Sequence, residues 1–124
     1  MKVALVSLNQ SWEDKEANRL KVRNCFQTIA FRNMDLVIFP EMTLTGFTMN
    51  VKEHAEEAEN SATIRFFTDC ACQYGVYIGF GMILKAGIKA ANHFIIVSPE
   101  GEMCADYIKI HPFSYAGEDR FYEK

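Results

Sequence analysis

Apolar residues along this chain come in short blocks, and their period changes from block to block. Residues 2–8 are rich in valine, alanine and leucine without polar alternation, which predicts a strand buried on both faces. Ser11 and Asp14 supply helix-start chemistry, with acids in the first turn. From there to about Phe31, Val22, Cys25, Phe26, Ile29 and Ala30 recur at helical spacing and face one core. Asp35 breaks that stripe. Residues 36–39, Leu-Val-Ile-Phe, are a continuous apolar strand, and Pro40 ends it while holding Phe39 extended.

Residues 42–50 read as a loop punctuated by Gly46, and residues 52–60 as an acidic surface segment. Ser61 caps a second helix, in which Ile64, Phe67 and Ala71 share a face and which Gly75 closes. Three strands follow, at residues 76–84, 91–97 and 103–110. Ala86-Gly87 and Ser98-Pro99-Glu100-Gly101 are the turns between them. After Pro112 the chain becomes polar and aromatic.

This order predicts an α/β fold with a mixed sheet. Two helices cover only one face of a five-stranded sheet. The near-continuous apolar strands imply that the other face needs cover too, which no further element of this chain supplies. No repeat, low-complexity stretch or linker divides the sequence.

Composition narrows the class. Hydrophobic residues are 49% and charged residues 23% of the 124, the balance of a globular domain. Thirteen basic against 16 acidic residues leave a net charge of -3, which offers nucleic acid no footprint. No apolar run approaches the roughly 18 residues of a membrane span. The apolar start turns polar at Asn9 before it could serve as a secretory leader. The expected location is therefore cytoplasmic, without membrane contact. Cys25, Cys70, Cys72 and Cys104 are expected to be buried, reduced and structural, because Cys70-Ala71-Cys72 lacks the spacer of zinc and redox motifs. His54, His93 and His111 are too scattered for a metal site.

Three residues could carry chemistry. Glu41 directly follows the 36–39 strand and Pro40, where open α/β sheets gather their sites; a surface acid would look the same. Lys109 sits at a strand end, with Tyr107 and His111 on its face and Ile108 and Ile110 on the other. A lysine reaching into water reads equally well there. Glu118, in a polar loop, reads by itself as a solvated charge.

Taken together, the segments are more specific. Phe39-Pro40-Glu41 with Thr45-Gly46-Phe47 resembles the general-base segment of nitrilase-superfamily amidases. Ala91-Asn92 and Pro99-Glu100-Gly101 resemble that family's hairpin, and Tyr107-Ile108-Lys109-Ile110-His111-Pro112-Phe113 its lysine segment, with proline at 112 where leucine is usual. Glu118 falls where the family's supporting glutamate lies. The resemblance runs over essentially the whole chain and is nearest the omega-amidase-like branch. It implies the amino-terminal part of a carbon–nitrogen hydrolase domain over residues 1–124, incomplete at the carboxyl end, and half of an α-β-β-α four-layer sandwich.

It also implies hydrolysis of a small amide or nitrile through a Glu-Lys-Cys triad. Glu41 would be the general base, Lys109 the oxyanion donor and Glu118 their support. No cofactor or metal is implied, the partner is a small-molecule amide, and complete subunits would form a homo-oligomer. None of the four cysteines matches the family's nucleophile, which follows a further strand beyond the lysine segment, so this chain alone is expected to be inactive. The alternative is a non-catalytic α/β binding or interaction module that keeps the fold without the thiol.

Overall fold

A computed structural model describes residues 1–28, 33–114 and 117–124, and six strands among them form one sheet. Strands β1 (Val3–Leu5), β2 (Leu36–Ile38) and β3 (Tyr77–Ala86) run parallel. Strands β4 (Lys89–Val97) and β5 (Met103–Ile108) continue the sheet antiparallel, in the order β1-β2-β3-β4-β5. The helices are α1 (Lys15–Phe26), the single turn α2 (Val51–His54) and α3 (Ala62–Tyr74), with a short 3-10 turn at Glu118–Arg120.

One strand was not legible from the chain's pattern. β6 (Tyr122–Glu123) pairs with β4 at Ala90 and Ala91, on the edge that β5 vacates after facing His93. The chain therefore leaves the sheet after β5, makes an excursion through Glu118, and returns to the same edge of β4. Two residues are too few for a periodicity signal, as is the one turn of α2.

One face of the sheet is closed. α1 and α3 pack over Val37, Ile78, Phe80, Met82, Ile95 and Val97, with the Phe67 ring stacked on Phe80 at 4.1 Å. The predicted caps hold α3: the Ser61 hydroxyl accepts from the Ile64 N–H at 3.1 Å, and Gly75 takes the left-handed φ of 66° that ends a helix. α1 is capped by Asp14 and ends at Phe26, with Gln27 at its carboxyl cap, short of the predicted end near Phe31; Ile29, Ala30 and Phe31 lie outside the described residues.

The other face is apolar and only partly covered. Leu36, Ile38, Phe94 and Ile96 are half-buried, while Val3, Tyr77 and Tyr107 are exposed. β1 corrects the expectation of a strand buried on both faces. It has three residues and forms the sheet's edge, and Leu5 is 78% exposed. An apolar run records what a strand is suited to bury, and here Ala4 and Val6 face the helices while Val3 and Leu5 face outward. The cysteines need a similar correction. All four are free, but only Cys70 is buried, and Cys72 and Cys104 are exposed.

Glu56 pins the start of α3 to α1. Its carboxylate accepts from Lys15 Nζ at 2.8 Å, from the Ser61 hydroxyl at 2.6 Å, and from both the N–H and the hydroxyl of Thr63. Burial pushes this acid up, but the hydrogen bonds from Lys15, Ser61 and Thr63 outweigh it and hold Glu56 at about 2 against an ordinary 4.5. A depressed carboxylate stabilises the fold above its unfolded value and loses that contribution as pH falls toward its folded one. Glu56→Gln is accordingly expected to cost about 2 kcal/mol at pH 7 in urea unfolding. The difference from wild type should close between about pH 4.5 and pH 2; a constant gap would assign the loss to packing instead.

Candidate active site

The backbone on both sides of Glu41 is fixed before its side chain is considered. The Phe39 N–H donates to Gly79 O at 2.8 Å and the Thr43 N–H to Gly81 O at 3.0 Å, so the segment rides along β3. The Thr43 hydroxyl donates to Pro40 O at 2.7 Å and accepts the Gly81 N–H at 3.0 Å. Gln10 Nε2 donates to the carbonyls of Met42 and Thr43 at 2.8 and 3.0 Å. Met42 takes a φ of 45°, a strained value for a side-chain-bearing residue, and so turns the chain sharply after Glu41.

Gly81 makes this approach possible. A Cβ there would lie 2.4 Å from the Met42 nitrogen and 2.9 Å from the Glu41 Cα, against backbone that cannot step aside. Gly81→Ala is expected to push the Glu41 backbone outward and to lower stability by about 1–3 kcal/mol, the usual cost of overpacking a close contact, as read by urea unfolding. Unchanged stability would show that the segment tolerates the shift.

Lys109 and Glu118 reach the same point from the excursion between β5 and β6. The Lys109 N–H donates to Asn92 O at 2.8 Å, placing the lysine just past the end of β5. Its Nζ donates to Glu41 Oε1 at 2.9 Å and to Glu118 Oε2 at 3.2 Å. Glu118 is fully buried. It also accepts the Phe113 N–H and faces Asn92 Nδ2 at 3.5 Å. Asn92 Nδ2 lies 2.6 Å from Glu41 Oε1. The three predicted residues thus converge.

The charges explain one another. Burial works against the Lys109 ammonium, but hydrogen bonds and the negative charge of Glu41 and Glu118 outweigh it and hold this lysine above its ordinary range. It therefore remains a fixed positive charge at any physiological pH. Burial, followed by the charges of Glu118 and Glu41, pushes the Tyr122 phenol up. That phenol donates to Thr48 O at 2.6 Å, tying β6 to the loop that carries Phe47. The Phe47 ring lies 5.7 Å from Lys109 Nζ, in cation–π range.

Glu41, Gly81, Asn92, His93, Phe94, Tyr107 and Lys109 line an open recess of about 230 Å³ on the uncovered face. A larger apolar hollow of about 540 Å³, lined by Met1, Asp35, Leu36, Tyr77 and Ile96, lies toward the other end of the strands, away from these charges. Tyr107 shares the recess with Lys109 as alternation predicts; His111 lies beyond the end of β5 and is exposed. No cysteine lines the recess. Burial pushes the Cys25 and Cys70 thiols up, the opposite of an activated nucleophile.

The sequence placed Asn92 only in a hairpin and did not single out Gly81. Each left a signal. A polar side chain inside an apolar strand demands partners, and a glycine inside a strand marks a close backbone approach.

Fold and site together describe a mixed α/β protein whose charged recess lies beyond the carboxyl end of its second strand. The chain matches the carbon-nitrogen hydrolase family over residues 2–124 and belongs to it. It is 30% identical over 122 residues to the omega-amidase YafV of Yersinia enterocolitica, covering 98% of this chain and 46% of that protein. It is also 30% identical over 117 residues to a nitrilase of Pyrococcus abyssi, covering 91% and 44%. In structure it resembles XC1258 of Xanthomonas campestris, a CN-hydrolase superfamily protein, with a TM-score of 0.87. That match has 24% identity and covers 98% of this chain and 44% of XC1258, so the likeness is one of fold. The chain spans less than half the length of the relatives it matches. Among the described residues no helix is long and apolar enough to cross a membrane.

Proposed function

We propose that the full-length protein is an amidase-type hydrolase of small amides or nitriles, and that these residues supply its base and its oxyanion donor. The observation that carries the reading is the convergence of Lys109 Nζ on Glu41 at 2.9 Å and on Glu118 at 3.2 Å beside an open recess. A carboxylate next to a fixed ammonium is what acyl transfer to a thiol requires. The names of the similar proteins, an omega-amidase and a nitrilase, support the same chemistry.

In this mechanism Glu41 takes the proton from a cysteine thiol supplied from outside these 124 residues. The sulfur bonds to the amide carbon, and the carbonyl oxygen becomes an oxyanion facing Lys109. The C–N bond then breaks as Glu41 returns the proton to the leaving nitrogen, and ammonia departs. Water attacks the thioester with Glu41 again accepting its proton, and the acid and free thiol are released. Glu118 orients Lys109 through both steps.

A non-catalytic binding module is the second reading, favoured by the absence of any cysteine from the recess lining. Ammonia release by the full-length protein from short ω-amides of dicarboxylic acids and from small nitriles separates the two. No release from any of them would leave the module reading standing.

A further inference from the structure

The Glu41 side chain is 47% exposed, and a glutamate that open ordinarily samples several rotamers. Here two donors meet on one of its oxygens: Asn92 Nδ2 at 2.6 Å and Lys109 Nζ at 2.9 Å, both to Oε1. Among the described residues nothing donates to Oε2. We infer that Asn92 is a positioning residue which clamps Oε1 of Glu41 and leaves Oε2 as the oxygen that accepts and returns the proton. The inference deepens the hydrolase reading and rests on it.

Asn92 suits this task because it is held at both ends. It is 4% exposed and sits within β4, paired with Ile83 of β3. Its carbonyl accepts the Lys109 N–H at 2.8 Å while its amide nitrogen holds Glu41. One residue therefore fixes both the lysine's backbone and the acid's side chain, and with them the separation of base and oxyanion donor. The orientation of its amide follows from chemistry. The nitrogen lies between Glu41 Oε1 and Glu118 Oε1, and carboxylates only accept; a flipped amide would set three oxygens against one another. A neutral donor is also what the site needs. A second cation would neutralise the base, and a third carboxylate would repel it.

The test uses the full-length protein and two substitutions, Asn92→Ala and Asn92→Asp, with kcat/KM followed against pH and Tm measured alongside. Each variant is expected to lose about a hundredfold in kcat/KM, the scale of a misplaced catalytic group. Each should also move the acid limb of the profile to higher pH, because a donor to the charged form of the base is gone. Asn92→Asp keeps the shape of the side chain, so its profile decides the matter if the alanine variant does not fold. A loss of rate that follows a lowered Tm with the acid limb unmoved would make Asn92 merely structural and overturn the inference, as would an unchanged rate. Absence of turnover in the wild-type full-length protein would instead defeat the hydrolase reading, and the role of Asn92 with it.

Discussion

Glu41→Gln in the full-length protein is expected to lower amide turnover by about 10³ or more while leaving Tm within a degree or two of wild type. General-base catalysis by a positioned side chain contributes about 10²–10⁴, and here the same carboxylate serves both acylation and deacylation. The substitution is nearly isosteric. It removes one of two negative charges from a cluster with one positive charge, so Lys109 keeps Glu118 as its partner at 3.2 Å. The acid is about half exposed, and a change of that kind rarely moves stability by more than about 0.5 kcal/mol. Residual turnover should lack the acid limb that a titrating base imposes on kcat/KM. Activity within tenfold of wild type would remove Glu41 from the mechanism and with it the central role proposed for the recess.

The part of this molecule that sequence made legible is the part built on long, periodic elements. α3 appears with both caps as read, and the β4–β5 turn forms with the Gly101 N–H on Ser98 O at 2.9 Å. The convergence of Glu41, Lys109 and Glu118 came from motif resemblance, since 68 residues separate the first two and no local pattern reports such a contact. β6 and α2 are too short for any period to register. Gly81 and Asn92 carry their meaning across strands, through a backbone approach and through hydrogen bonds over 51 residues of sequence. The exposure of β1 is a different case. Its composition reports the burial it is fit for, whereas accessibility depends on what is packed against it.

Lys109→Ala is expected to do two separable things. First, it should lower turnover of the full-length protein by about 10²–10³, the usual cost of removing one oxyanion donor. Second, it should destabilise the fold by about 2–3 kcal/mol, because Glu118 is fully buried and would keep its charge without a cation. The remaining Phe113 N–H and the Asn92 amide at 3.5 Å cannot replace a positive charge. Denaturant unfolding at pH 7 measures the deficit. Adding Glu118→Gln to Lys109→Ala removes the stranded charge and should recover most of the lost stability without recovering turnover. Recovery of both would mean that Lys109 serves only to neutralise Glu118. Recovery of neither would mean that the lysine stem's packing, with Phe47 at 5.7 Å from its ammonium, matters more than its charge.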